Sequence, residues 1–235
     1  QFRLDNTGRF MFENLKFALK LVADAMKNRE LSTIFQQQVF YKRVAIPGYF
    51  DLTQLEISKD PLSGRGFRFI ELKREDIEAG KWTFLASQRR LTALRHFKQG
   101  LRGFALVDAE DVVIGDVWCL TPGKEKKPIE HPDLAMLNIE CTSGDTYALD
   151  IFLPPSQRGK NLAVPVHRSL ELLLKREGWR RLYAYYWEDN IPSRWMHLML
   201  KFSELTKMPV SRFFFIKTTH VVSIKGSPLL RVHIG

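Results

Sequence analysis

Apolar and polar residues recur along the chain with two periods, which predict a mixture of strands and helices. Short apolar or alternating runs bounded by turn residues predict strands at 67–72, 103–107, 112–118, 147–153, 181–187, 213–216 and 229–234. Apolar positions three and four residues apart predict helices at 9–28, 76–97, 161–177 and 192–202. This interspersed order predicts an α/β (α+β) fold with a mixed sheet.

Turn residues divide the pattern near residue 64, where Ser63, Gly64, Arg65 and Gly66 follow one another. We therefore expect a partly helical N-terminal extension at 1–64 and a larger domain at 65–235. The helix at 9–28 carries lysines beside its apolar stripe. Packing on its own domain and binding to a membrane surface are both open for it.

The composition indicates a packed domain, since 45% of the 235 residues are hydrophobic. No apolar run approaches the ~20 residues that cross a bilayer, so no transmembrane segment is expected. Two cysteines, Cys119 and Cys141, predict reduced thiols in a cytoplasmic protein and no zinc site. The chain begins at Gln1 rather than at a methionine, which is expected of a processed or trimmed fragment.

The net charge of +10 is concentrated near the end of the chain. Residues 179–235 contain nine Lys or Arg against three Asp or Glu. This excess favours an anionic partner, and phosphate, nucleic acid and anionic lipid all satisfy that condition.

The segment after the strand at 147–153 has the features of an anion site. Two prolines end the strand, a short turn containing Gly159 and Asn161 follows, and a long helix begins. A tight turn into a helix N-terminus gathers unpaired backbone N–H groups at the positive end of the helix dipole. Glycine permits close approach of an anion, and asparagine tolerates a left-handed conformation. The segment therefore predicts a pyrophosphate site.

At this segment the chain resembles a known family. Residues 153–163, Leu-Pro-Pro-Ser-Gln-Arg-Gly-Lys-Asn-Leu-Ala, are similar to motif A of the GNAT N-acyltransferases, which reads Gln/Arg-x-x-Gly-x-Gly/Ala. Arg158 and Ala163 match the first and last positions. Asn161 stands where the family has glycine.

The resemblance continues downstream of the motif. The family's next strand is followed by Asn-x-x-Ser/Ala and a helix, and here Asn190 and Ser193 match that pattern. The helix of the family ends near Gly-Phe. Here Phe202 matches the phenylalanine, and Lys201 stands in place of the glycine. The resemblance covers about 170 residues and implies a mostly antiparallel, twisted sheet flanked by helices.

Membership of this family would imply acetyl-CoA or another acyl-CoA as co-substrate, an amine as acceptor and no metal. The strand before the loop would splay from its neighbour, and the loop backbone would hold the pyrophosphate. Carried over residue by residue, the positions that would bind CoA are Ile151, Phe152, Leu153, Arg158, Gly159, Lys160, Asn161, Leu162, Ala163, Asn190 and Ser193.

The resemblance also suggests where the acid and base would lie. The acid that protonates the leaving thiolate is commonly a tyrosine, and His197 occupies that position here. Tyr185 or Tyr186 would replace it, depending on which of them faces the site. Asp150 and Glu140 are the candidates for a general base acting through water.

Three functions are compatible with these observations. The first is an acyl-CoA-dependent N-acyltransferase, the second a non-catalytic acyl-CoA-binding or regulatory module, and the third a nucleic-acid-binding protein whose aromatic side chains stack on bases. The acceptor amine and the acyl chain length are not specified by the motif. Monomer and homodimer both remain open.

Overall fold

The sheet is formed by segments rich in aromatic and β-branched residues, which suit a pleated and half-buried surface. The computed structural model describes residues 40–56, 61–123, 127–213, 216–222 and 228–234, and the helix expected at 9–28 lies outside them. Eleven strands of this described part form one sheet. They are β1 (Phe40–Asp51), β2 (Arg68–Glu71), β3 (Thr83–Phe84), β4 (Arg102–Val107), β5 (Val112–Leu120), β6 (Asp145–Phe152), β7 (Arg181–Trp187), β8 (Ser203–Glu204), β9 (Met208–Phe213), β10 (Ile216–Val222) and β11 (Pro228–Ile234).

The strands follow the spatial order β11-β10-β9-β1-β7-β6-β5-β4-β2, with β3 beside β5 and β8 beside β1. Most pairs are antiparallel, and β6 with β7 and β3 with β5 are the parallel pairs of the described residues. The predicted mixed, mostly antiparallel sheet is therefore confirmed. β1 precedes the boundary expected near residue 64, yet it pairs with β7 and β9. The sheet thus includes residues from both sides of that position.

Helices cover both faces of the sheet. They are α1 (Arg74–Glu78), α2 (Ser87–Lys98), α3 (Pro132–Met136), α4 (Ala163–Arg176) and α5 (Ile191–Met199). On one face, α4 and α5 pack against β4, β5, β6 and β7, and Leu170 and Leu174 lie at the centre of that core. On the other face, α1 and α2 pack around Trp118, while α3 packs around Tyr147. The burial of these apolar side chains holds the layers together.

Three predicted elements differ from the observed ones for local reasons. The single helix expected at 76–97 is two helices separated by β3, because Gly80 turns the chain at φ 72° after α1. α4 begins at Ala163 rather than at residue 161, because Asn161 has φ 54°, which is incompatible with a right-handed helix. Of the strand expected at 213–216, Phe213 ends β9 and Ile216 begins β10, and the two residues between them lie outside the described part.

Candidate functional site

The site begins where β6 and β7 separate. The two parallel strands pair only from Asp145–Tyr147 on β6 to Arg181–Tyr183 on β7. Across β6, Trp118 lies opposite Asp150 while Cys119 lies opposite Ala148, so β6 contains one additional residue in a β-bulge. A bulge bends its strand and strengthens the local twist. β6 therefore leaves β7 directly after the last shared pair, as the resemblance implied.

The separation opens a cleft between the two strands, with about 50 Å³ of room for water-sized molecules. Its walls come from β5, β6 and β7, and its floor comes from α4 and α5. The residues that line it are Val117, Ala148, Leu149, Asp150, Ile151, His167, Ala184, Tyr185, Ser193, Met196 and His197. Within the described residues the second half of β6 has no strand partner on this side, so its backbone polar groups are available to a ligand.

The loop between β6 and α4 has the conformation expected of an anion site. A short 3-10 helix at Pro155–Gln157 is followed by Gly159 with φ 78° and Asn161 with φ 54°. The predicted left-handed conformation of Asn161 is confirmed. The backbone N–H groups from Gly159 to Val164 have no acceptor within the described part of the chain. Six backbone donors near the start of α4 are therefore unpaired within the described residues.

Side chains on the loop hold it in this shape. Arg158 donates from Nε to the carbonyl oxygen of Leu153 at 3.1 Å, and Lys160 donates from Nζ to Gln157 at 3.0 Å. Leu162 is buried in the core between the sheet and α4. These contacts anchor both ends of the loop while Gly159, Lys160 and Asn161 themselves stay exposed.

The three residues at the end of β6 that were predicted to bind CoA have side chains in different environments. Ile151 lines the cleft. The ring of Phe152 lies 4.6 Å beneath the guanidinium of Arg89. Leu153 packs closely on Gly115, where an added Cβ would lie 2.5 Å from a Leu153 methyl group.

Asp150 is held by Arg89 and His96 rather than left free to accept a proton. Its Oδ2 accepts a hydrogen bond from Arg89 at 2.8 Å and lies 3.0 Å from Nε2 of His96. Arg89 also pairs with Asp116, which is 2% exposed. Burial acts to raise the pKa of Asp150, but the contacts with His96 and Arg89 outweigh it and lower the pKa. A carboxylate with a lowered pKa is a weak general base.

His197 lines the cleft, and its protonation is unsuited to an acid. It is 5% exposed, and its Nδ1 lies 2.8 Å from the carbonyl oxygen of Ser193, to which it donates. Burial, with a smaller effect from His167, lowers the pKa of His197 to about 4. The ring is therefore neutral at pH 7. Its Nε2 is buried and has no partner among the described residues.

The two tyrosines of β7 lie in different environments. Tyr185 lines the cleft. Tyr186 is buried, its ring centroid lies 4.9 Å from that of His197, and its hydroxyl donates to Glu204. Burial and this carboxylate raise the pKa of Tyr186 to about 12. Tyr185 is therefore the tyrosine that faces the site, which the sequence left open.

The remaining predicted residues lie at the edge of the site or away from it. Asn190 caps α5, since its Oδ1 accepts a hydrogen bond from the backbone N–H of Ser193 at 3.2 Å. Ser193 itself lines the cleft. Glu140 is exposed between α3 and β6 and is not among the residues that line the cleft.

Two residues that sequence reasoning missed lie on the inner face of α4. His167 lines the cleft, and its Nδ1 lies 3.1 Å from Oε1 of Glu171, which is fully buried. The available signal was their i,i+4 spacing in an otherwise apolar helix face. A buried histidine and a buried glutamate are expected to pair with each other, because burying either one without a hydrogen-bond partner costs free energy.

The described ranges contain neither a membrane-spanning helix nor a cluster of metal ligands. No helix there is long and apolar enough to cross a bilayer. No three His, Cys, Asp or Glu residues of this part gather as metal ligands. Cys119 and Cys141 are buried and form no disulfide.

Substitution of Asn161 tests the conformation of the loop. Asn161→Gly should leave the free energy of unfolding unchanged or slightly higher, because glycine adopts φ 54° without strain. Asn161→Val should lower it by about 1–2 kcal/mol, the cost of a left-handed conformation. Urea denaturation measures both, and equal stability of the two variants would contradict the observed backbone.

Acid titration tests the environment of His197. Its pKa of about 4 lies below the ordinary 6.5, so the unfolded chain binds a proton at a pH where the folded chain does not. Stability should therefore fall between pH 6.5 and 4, by on the order of 3 kcal/mol from this residue. His197→Phe should flatten that part of the pH–stability curve, and a curve parallel to the wild type would show that His197 is not responsible.

Several solved structures resemble this fold. A GCN5-related glucosamine N-acetyltransferase region of a fungal multi-domain GH3 β-N-acetylglucosaminidase matches with a TM-score of 0.54 and 13% identity. The match covers 80% of this chain and 23% of that one. A GCN5-related N-acetyltransferase from Sphaerobacter thermophilus matches with a TM-score of 0.47 and 13% identity over 89% of this chain and 68% of that one.

A tandem GNAT protein from the clavulanic acid biosynthesis pathway matches with a TM-score of 0.43 and 16% identity, covering 71% of this chain and 52% of that one. The chain thus spans about half the length of the tandem protein and about a quarter of the fungal one. No protein-family model and no curated protein matches the sequence. The similarity therefore concerns the fold, and this chain has the fold of the GNAT superfamily of acetyltransferases.

Proposed function

We propose that the protein is an acyl-CoA-dependent N-acyltransferase. The observation that carries this proposal is the continuity of two sets of unpaired backbone donors. One lies along the second half of β6 inside the cleft, and the other follows in the loop from Gly159 to Val164. An extended ligand with an amide-containing arm and a pyrophosphate matches both sets.

The loop provides what a pyrophosphate needs. Its free N–H groups lie at the N-terminus of a 14-residue helix, where the helix dipole favours negative charge. No Cβ stands at Gly159, and the space beside this residue is open. Arg158 and Lys160 are exposed and add positive charge nearby. A diphosphate can therefore approach the backbone directly.

The cleft provides the place for the acyl group. Unpaired N–H groups of β6 would polarise the thioester carbonyl and stabilise the oxyanion that forms when an amine attacks it. The mostly apolar lining, with Val117, Ala148, Ile151 and Met196, would exclude water and favour attack by a bound amine over hydrolysis. Direct transfer from CoA to the amine follows from this arrangement.

Asp150 and His197 favour one alternative, a non-catalytic acyl-CoA-binding module. Asp150 is committed to Arg89 and His96, and His197 is neutral at pH 7. Thiol release from acetyl-CoA with a panel of amines separates the two functions. Glucosamine belongs in that panel because it is named for the fungal neighbour. Cytoplasmic location stays a prediction.

Two glycine substitutions test the CoA site with a matched control. Gly159 and Gly178 both have positive φ, 78° and 88°, and open space beside them, but Gly178 follows the far end of α4. Gly159→Ala should weaken CoA binding by about 10-fold, since it strains the loop and places a methyl group where phosphate approaches. Gly178→Ala should cost similar stability and leave binding unchanged. Calorimetry with CoA measures both.

The outcomes separate the parts of the proposal. If the wild-type protein does not bind CoA, the proposed function is wrong. If CoA binds and the two alanine variants weaken binding equally, the function stands and the assignment of the loop is wrong.

A further inference from the structure

The inner face of α4 contains a buried, hydrogen-bonded histidine–glutamate pair that borders the cleft. His167 is 2% exposed and Glu171 is 0% exposed. Most of the other buried side chains of α4, such as Val166 and Leu170, are apolar and pack into the core. Burying a carboxylate costs several kcal/mol unless charged partners and hydrogen bonds compensate it. Packing of the core therefore does not explain why a histidine and a glutamate are buried here.

Both oxygens of Glu171 are occupied. Oε1 lies 3.1 Å from Nδ1 of His167, and Oε2 accepts a hydrogen bond from Arg168. Arg168 is itself fixed, because its guanidinium stacks 5.1 Å from the ring of Phe50. Glu171 thus has two directional partners, and the orientation of the His167 ring follows from them.

The other nitrogen of His167 is left for a ligand. With Nδ1–H donated to Glu171, Nε2 has a lone pair, and the described residues offer it no hydrogen-bond partner. The ring of His197 lies 6.2 Å away between centroids, and its Nε2 is buried without a partner. Neither Nε2 has a hydrogen-bond donor among the described residues, and that of His197 is in addition buried, which is unusual for a polar group.

The charged and titratable groups around His167 make it different from His197. From its own helix it faces Glu171 and, beyond it, Arg168. From α5 it faces His197, and next to that lie Tyr186 and Glu204 from β7 and β8. Asp150 of β6 lines the same cleft, paired with Arg89. Of the two histidines, only His167 has a carboxylate in contact with its ring.

We propose that His167, oriented by Glu171, transfers the proton from the attacking amine to the leaving sulfur. This inference rests on the proposed acyl transfer. As the C–N bond forms between the neutral amine and the thioester carbon, an N–H proton of the amine moves to Nε2. The C–S bond then breaks with its electron pair on sulfur, and the proton moves from Nε2 to that sulfur. The products are an amide and the CoA thiol, and His167 is neutral again.

Glu171 is a positioning residue in this scheme. It keeps the tautomer in which Nδ1 carries the hydrogen, and it stabilises the transient imidazolium by its charge. His197 contributes no proton, which agrees with its neutral state. The scheme thereby provides the acid and base functions that Asp150 and His197 do not.

Kinetics with three variants tests the proposal. His167→Asn keeps an amide N–H for Glu171 but removes Nε2, so thiol release should fall about 100-fold while the Kd for CoA changes less than twofold. Glu171→Gln should lower kcat for thiol release about tenfold and leave the KM for the amine unchanged, since an amide fixes the tautomer of His167 less well than the carboxylate does. His131→Asn, at the cap of α3, should change neither.

A magnetic resonance measurement makes the test independent of turnover. Ring nitrogen shifts of His167 should show hydrogen on Nδ1 at pH 7, and the Nε2 shift should move when CoA is added. Hydrogen on Nε2 instead, or an Nε2 shift unmoved by saturating CoA, would overturn the proposal. So would full activity of His167→Asn in a wild-type background that transfers acetyl groups. CoA binding without transfer to any amine would contradict the proposed enzyme function and the proton transfer together.

Discussion

The separation of β6 from β7 is the constraint on which the rest of the site depends. Parallel strands satisfy their backbone groups through each other, and these two do so over only three residue pairs. The β-bulge at Leu149 turns β6 away at that point, and β5 keeps it in the sheet from the other side. The unpaired half of β6 then faces a cleft, where its backbone groups need water or a ligand.

The run of unpaired backbone groups continues from β6 into the loop and the start of α4. Gly159 and Asn161 take left-handed conformations, so the N–H groups after β6 turn toward one region instead of entering a helix. α4 then packs on the sheet through Val166, Leu170 and Leu174, which fixes its N-terminus beside the end of β6. The same helix carries His167 and Glu171 beneath the cleft. One packed element therefore positions both the anion site and the proposed proton carrier.

The spacing of apolar residues along the chain predicted much of the fold, because it has a clear period in most strands and helices. The strand 181–187 agrees with β7, and the turn after β6 was recognised from Gly159 and Asn161. The central place of β1 was not predicted, because its pairing joins residues 40–51 to residues 181–187 and no local pattern contains such a contact. The break at Gly80 was missed because the apolar spacing on its two sides is compatible with one helix.

The chemistry of the site was less predictable than its location. Asp150 and His197 were named by position, but their protonation depends on Arg89, His96 and burial, which come from other elements. His167 and Glu171 escaped notice because a search for apolar periodicity passes over polar residues on the same face.

Amide hydrogen exchange with and without CoA tests the central claim most directly. If the unpaired backbone of β6 and the loop binds CoA, exchange should slow at least about tenfold at residues 149–153 and 159–164, and it should stay unchanged at 216–222 on β10. CoA binding with unchanged exchange in both of the first two segments would contradict the account.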